Sequence, residues 1–326
     1  MEDRVRIGLV GLGRHMLSQI IPNLMKLPVV ITAVCDREEE KLEQLRFCLP
    51  VDRARCYTSW EQMLERERLD GVICVADAGL HYEVAAASLR HRIPVFVEKT
   101  PCQSAAQAYE LCGLQKEYQC FGMAGFNRRY TTSYRMMREI LRSEEFGRPL
   151  LYMAKYNSSQ YGSSRYFVFN HVIHHLDLMR YLLGEIDTVE AQKTEIADGK
   201  IGYHIRFRSA SGVMGFLQSA SLQCESYPME RVEITGDGRC LIADNVKTLR
   251  YNRPVSSKTE MDPTLGADDA LCWNYNQGHS SMYSHYGYER ELADFVGAVR
   301  EGRRPENTFD DVYGTMLLYE KLLEDS

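Results

Sequence analysis

The sequence predicts an α/β fold in two parts: a doubly wound parallel sheet covered by helices on both faces, then an α+β domain with an open, mostly antiparallel sheet. Three observations predict it. Over the first ~125 residues, short apolar runs alternate with helical stretches, the pattern of a parallel sheet buried on both faces. From Ile186 to about Tyr251 the runs turn short and alternating, punctuated by Gly199, Gly202, Gly212, Gly236 and Gly238, which suits antiparallel strands. The 326 residues, 44% of them hydrophobic, suffice for two ordinary domains, placed here at 1–125 and 126–326.

Arg4–Val10 is a β-rich run. Helical spacing follows over His15–Leu27, and Pro28 stops it. Val29–Cys35 is a second strand, and a charged helix runs from Arg37 to Phe47. Strands at Gly71–Val75, Pro94–Val97 and Cys120–Gly125 alternate with helices at His81–Arg90 and Ser104–Tyr118. Beyond them, Thr131–Arg142 reads as a helix, Pro149–Asn157 as a strand, and Asn170–Leu183 as a helix ended by Gly184. The polar stretch 252–284 reads as an extended loop, and helices over Tyr288–Arg300 and Asp310–Glu324 finish the chain.

Composition narrows the chemistry. A net charge of −6 argues against nucleic acid or an anionic membrane as partner. No apolar run is long enough to cross a bilayer, and the N-terminus lacks a signal-peptide layout. The ten cysteines include no Cys-x-x-Cys pair and several sit within apolar runs, as reduced core residues of a cytoplasmic protein do.

Gly11-Leu12-Gly13 follows a strand and opens a helix, the setting of a dinucleotide fingerprint. Glycines let the turn approach a pyrophosphate, and helix-terminal N–H groups stabilise its charge. Met16 stands at the third glycine position, which governs helix–strand packing, so a displaced helix is expected. Asp36 ends the second strand, where a carboxylate can bond a ribose 2′-hydroxyl and repel a 2′-phosphate; it also suits a helix N-cap. NAD is therefore expected, with NADP left open by Arg37, whose guanidinium can stack on adenine or bind the extra phosphate.

The runs Gly71–His81, Glu98-Lys99-Thr100-Pro101 and Gly125–Tyr130, in this order and at these intervals, resemble the glucose–fructose oxidoreductase / inositol dehydrogenase / MocA (Gfo/Idh/MocA) family. Asn170-His-Val-Ile-His-His-Leu-Asp177, followed by Tyr181 to Gly184, is similar to that family's Asp-x-x-x-His-x-x-Asp helix. The short Phe169-Asn170 entry to this helix looks closest to the MviM-like subgroup. The resemblance spans nearly the whole chain. It implies an N-terminal Rossmann domain, a C-terminal domain with an open sheet, and a homo-oligomer, dimer or tetramer, built on that sheet. It also implies hydride transfer between NAD(P) and a secondary alcohol or ketone of a sugar, cyclitol or sugar derivative. Two alternatives are an NAD-dependent glycoside hydrolase using transient oxidation and a non-enzymatic NAD-binding sensor.

Carried over residue by residue, the resemblance places Lys99 between nicotinamide and substrate and makes His174 the acid/base. The cofactor set it implies is Gly11, Gly13, Arg14, His15, Asp36, Arg37, Ala76, Asp77, His81, Glu98, Lys99 and Asn127. Three departures stand out: Thr100 precedes Pro101 where the family has proline directly, Asn170 replaces an aspartate, and Ala76-Asp77 replace Thr-Pro.

Asn170, His174, Asp177 and Tyr181 fall at i, i+4, i+7 and i+11, one polar stripe on an otherwise apolar helix, as a cleft-lining helix requires. Asp177 is expected to orient His174 or touch substrate. Asn170 can orient the imidazole without stabilising its charge. His171 and His175 have metal-ligand spacing, but Val172 stands where a zinc protease has glutamate, so solvent-facing or substrate-lining imidazoles are expected, and no metal. Lys155, Tyr156, Tyr161 and Arg165 lie in a segment whose rings and hydroxyls suit a sugar-like ligand or an ordinary surface loop. Arg165 and Lys155 suit an anionic group on the substrate, and Arg128 and Arg129 suit such a group or an interdomain salt bridge equally.

Overall fold

The computed structural model describes residues 4–45, 55–196, 199–224, 229–254, 269–274 and 286–324. These fall into two compact units, Met1–Asn127 with Tyr288–Leu317, and Arg128–Gly287 with Leu318–Ser326.

The first unit holds a six-stranded parallel sheet in the order β3-β2-β1-β4-β5-β6. Its strands are β1 (Val5–Val10), β2 (Val29–Cys35), β3 (Cys56–Tyr57), β4 (Gly71–Cys74), β5 (Val95–Glu98) and β6 (Gly122–Gly125). Helices α1 (Ile21–Leu24), α2 (Glu39–Leu45), α3 (Trp60–Arg66), α4 (Ala78–Arg90) and α5 (Ala105–Tyr118) alternate with the strands. β4 to β6 are almost wholly buried, as the near-continuous apolar runs require of a sheet covered on both faces.

The expected helix after the glycine turn is not regular. After helical Arg14 and His15, a π turn occupies Met16–Ile20, and Ile21–Leu24 is α-helical again. Met16 is fully buried, and Pro22 offers no N–H and crowds the carbonyl four residues before it; widening the preceding turn relieves that clash. β3 and α3 carry no strong periodicity of their own and escape the sequence reading. α2 begins at Glu39, two residues later than expected, and position 46 onward lies outside the described residues.

The second unit continues with α6 (Thr132–Leu141), β7 (Pro149–Asn157), α7 (Ser164–Phe167) and α8 (Ile173–Leu183). The strands β8 (Ile186–Ile196), β9 (Lys200–Ser209), β10 (Met214–Ala220), β11 (Met229–Gly236), β12 (Arg239–Asp244), β13 (Thr248–Arg253) and β14 (Asp269–Asn274) complete its sheet. The eight strands are ordered β14-β13-β12-β11-β7-β10-β9-β8, and every pairing is antiparallel except β7 with β10. The α+β expectation is met. α6 and α8 cover one face. Leu151, Met153 and Met214 are exposed, whereas Tyr152, Ala154 and Tyr156 on the alternate positions of β7 are buried.

Two sequence expectations change here. β14 lies within the stretch read as loop; it pairs with β13 from Thr248↔Asn274 to Arg253↔Asp269. The rest of that stretch, 255–268 and 275–285, is outside the described residues. The helix expected from Asn170 is α-helical only from Ile173, because Val168–Val172 forms a second π turn.

Two last helices are α9 (Tyr288–Glu301) and α10 (Phe309–Glu324). Sequence order alone keeps 126–326 together, yet residues 288–317 cluster with the first unit. Phe295 of α9 packs on Phe96 and Phe121, with centroids 5.9 and 6.0 Å away. No described helix is long and apolar enough to cross a membrane.

Candidate active site

In the first unit the site is built on the carboxyl ends of β1, β2, β4 and β5, where ligands sit in doubly wound sheets. Gly11 has φ +82° and a β-carbon there would collide with the Val75 carbonyl, so only glycine fits. Gly13 has the opposite surroundings: a β-carbon would meet nothing within 4 Å, which leaves open space over the turn. Asp36 organises this turn. Its Oδ2 accepts the Leu12 N–H at 2.7 Å and its Oδ1 the Glu38 N–H at 3.0 Å. Each oxygen keeps a second lone pair for a ribose hydroxyl. Glycine turn, open space and carboxylate fit a dinucleotide. Arg14 is exposed and His15 half-buried at the start of the following helix, and the Arg37 side chain is 91% exposed.

Lys99 follows β5 and is half-buried. Its backbone N–H donates to Glu98 Oε2 at 3.0 Å, while Glu98 Oε1 lies 3.1 Å from His15 Nε2. Burial would push the Glu98 carboxyl up, but His15 and Lys99 outweigh it and hold the group below the usual carboxylate range. Gly125 provides the room; a β-carbon there would come within 3.0 Å of the Glu98 carboxyl. His81 secures the other side. Its Nε2 accepts the Ala76 N–H at 2.8 Å and its Nδ1 donates to the Thr100 carbonyl at 3.0 Å, which fixes the tautomer. Burial lowers its pKa, so the clamp is neutral.

These contacts correct part of the expected cofactor set. His81 (1% exposed) and Glu98 (5% exposed) are wedged between loops and spend their polar atoms on protein. Their observed polar contacts shape the loops around the site. The Ala76 N–H is likewise committed, and Asp77 caps α4 by accepting from the Gly79 and Leu80 N–H groups. Asn127 is buried in a 3-10 turn, Asn127–Tyr130.

In the second unit, only His174 among residues 171–179 is not buried. Its ring meets Tyr156 edge-on, centroids 6.4 Å apart. Asn170 sits in the π turn, where its Nδ2 donates to the Tyr166 carbonyl at 3.0 Å.

Four expectations are corrected in this unit. Asp177 is fully buried, and both its oxygens accept from Arg129 at 2.7 and 2.6 Å, so its charge is spent on Arg129. His171 and His175 are buried and sandwich the Tyr156 ring at 3.8 and 4.2 Å, so they do not face solvent. Arg128 is held by Glu230, with Nε 3.1 and 3.0 Å from its two oxygens, and its Nη2 donates to the Tyr156 hydroxyl at 3.2 Å. Lys155 points to the face of β7 opposite Tyr156, as strand alternation dictates. Tyr161, half-buried, and Arg165, exposed, remain accessible.

The residue missed is Glu230, at the hub of this network. It accepts from Tyr134 Oη at 2.8 Å and lies 3.4 Å from His175 Nε2. Burial pushes its carboxyl up; Arg128, His175 and Tyr134 pull it down further, to about 2. The signal was present: Glu230 occupies the inward phase of β11 with Val232 and Ile234, an unusual place for an unpaired acid.

The sequence profile of an oxidoreductase family with an NAD-binding Rossmann fold, GFO_IDH_MocA, matches residues 5–126. The profile of the GFO/IDH/MocA C-terminal domain matches residues 134–241. The chain belongs to the Gfo/Idh/MocA oxidoreductase family. A myo-inositol 2-dehydrogenase of Thermotoga maritima is 24% identical to this Gfo/Idh/MocA chain over 96% of its length and 94% of the relative's. A dehydrogenase of Chromobacterium violaceum shares the fold at a TM-score of 0.88 and 23% identity, covering 99% of this chain and 95% of the other. A Clostridium difficile dehydrogenase named MviM does so at 0.83 and 15%, covering 99% of both.

NAD is the cofactor of this Gfo/Idh/MocA fold. Asp36 predicts that NAD binds more tightly than NADP, since a buried carboxylate repels a 2′-phosphate. Asp36→Ser is expected to narrow or reverse that preference and to weaken both cofactors somewhat, because the Leu12 N–H loses its acceptor. Titration of NAD and NADP into both proteins measures this; tighter NADP binding by the unmodified protein would transfer the assignment to Arg37.

Proposed function

We propose that this family member moves a hydride between NAD and a secondary alcohol or ketone of a cyclitol, sugar or sugar derivative. The observation that carries the reading is the setting of Lys99. Its peptide is pinned by a buried ionised glutamate on one side, and the next carbonyl by a neutral histidine on the other. A lysine held this firmly at the carboxyl end of a strand is prepared to meet a ligand. The inositol dehydrogenase activity of the Thermotoga relative supports the substrate class.

NAD, when bound, supplies the hydride acceptor or donor. The Lys99 ammonium donates to the reacting oxygen and stabilises alkoxide character on it. His174 takes the hydroxyl proton during oxidation and returns it during reduction. Tyr161 offers a ring and hydroxyl to a sugar, and Arg165 a guanidinium to an anionic substituent. The neutral stack of His171, Tyr156 and His175 ties the His174 helix to β7 and holds it in place. The exposed row Leu151, Met153 and Met214 on the uncovered sheet face supports a homo-oligomer. Free thiols at all nine described cysteines support a cytoplasmic setting.

The test is a panel of cyclitols and sugars incubated with NAD and followed by NADH absorbance. Net NADH formation with at least one cyclitol or sugar is expected. Sugar release without net NADH would favour the hydrolase alternative, and NAD binding without turnover on any member would favour the sensor.

A further inference from the structure

The first unit has a second cavity at the end of its sheet opposite the glycine turn. It measures about 550 Å³, within the size range of small-molecule sites, and its wall includes Pro94 and Phe121, which immediately precede β5 and β6. Its lining is cationic: Arg92, Lys116, Arg303 and Arg304 against one carboxylate, Asp310. Arg304 is spent on Asp310 at 2.5 Å, and Arg303 on Asp294 and Glu301 at 2.7 and 2.9 Å. Arg92 and Lys116, both exposed, form no ion pair among the described residues. Two positive charges are thus left over at one concave site in a chain whose net charge is −6.

The inner wall adds a polar donor. Gln115 is 6% exposed, and its Oε1 accepts the N–H groups of Gly122 at 2.8 Å and Phe309 at 3.4 Å. That assignment turns the amide nitrogen away from both, and Nε2 has no hydrogen-bond partner among the described residues. Through these two bonds Gln115 ties α5 to the residues that open β6 and α10, which flank the cavity. The ring of Phe309 fills the space a β-carbon at Gly122 would need, so α10 and β6 are locked together and the cavity is preformed.

We propose that this cavity binds a small organic molecule carrying a phosphate group, separately from the cofactor. Arg92 and Lys116 supply the charge and the N–H donors for the phosphate oxygens. The volume exceeds what inorganic phosphate needs, which leaves room for the organic part. The proposal is independent of the substrate assigned to the Lys99 site.

Inorganic phosphate is the probe. It is titrated calorimetrically into the full chain saturated with NAD, so that the glycine turn is occupied, against chloride at equal ionic strength. Saturable phosphate binding is expected. It should weaken at least tenfold in the double variant Arg92→Ala/Lys116→Ala and severalfold in each single variant, with NAD affinity unchanged throughout. Absence of saturable binding overturns the proposal. So does binding of equal strength in the double variant, which would place phosphate elsewhere on the protein, or an equal response to chloride, which would reduce the effect to screening.

Discussion

Lys99→Met is expected to leave NAD binding nearly intact and to abolish turnover. The substitution keeps an unbranched side chain, one atom shorter, and removes the feature the proposed chemistry needs, a charged donor to the developing alkoxide. Loss of such a donor costs about 3 kcal/mol or more, a rate reduction of roughly a hundredfold or greater. Cofactor affinity should hold because the Asp36 and glycine-turn contacts are untouched, and because Glu98 keeps its bond from the backbone N–H of residue 99. Equilibrium titration of NAD, with steady-state rates on a substrate found by the panel, measures both. A Lys99→Met protein of undiminished rate would return Lys99 to an ordinary lysine after a strand.

His174→Ala is expected to remove most of the rate and, with it, the pH dependence of oxidation. In the unmodified protein the oxidation rate should climb with pH as His174 loses its proton and becomes a base, then level off. The two neighbouring histidines cannot produce this rise. Burial, then the charge of His175, pushes His171 down to about 3, and burial lowers His175 as well. Burial thus favours the neutral form of both, which leaves His174 as the group to test. Asn170→Asp, which adds a carboxylate one turn away, is expected to move the limb to higher pH by favouring the imidazolium. A pH–rate profile of the three proteins decides the matter. A limb that survives in His174→Ala places the titrating group outside this helix.

The sandwich of Tyr156 between His171 and His175 shows why three histidines in a row of five residues divide their work. At i and i+4, His171 and His175 share one face of the chain and clasp the same ring. His174 points elsewhere and stays accessible. The spacing is legible in the sequence, where it suggests solvent-facing or substrate-lining imidazoles. Spacing fixes which side chains lie together; it does not say whether the face they share is turned inward.

The same division runs through the first unit. Gly11, Gly13 and Asp36 were readable because the requirements they meet are local: a positive φ, a turn without side chains, a carboxylate at a strand end. His81 and Glu98 lie in equally recognisable positions, yet what they touch depends on loops brought together by the parallel sheet. His81 reaches across 19 residues to Thr100, and His15 across 83 to Glu98.

By itself, the sequence determined the two-part α/β architecture, the order of the main strands and helices, the glycine turn with its carboxylate, and the placement of Lys99 at a strand end and His174 on a helix. Each of these rests on periodicity or on a conformational demand within a few residues. Tertiary structure alone decided which charges are spent and which remain. Arg128 meets Glu230 over 102 residues, Tyr134 meets it over 96, and Arg129 meets Asp177 over 48. An ion pair is set by distance in space and by loss of water around both partners, and neither quantity is written in local sequence. For that reason Asp177 and Arg128 looked available for substrate, and Glu230, buried among their partners, went unseen.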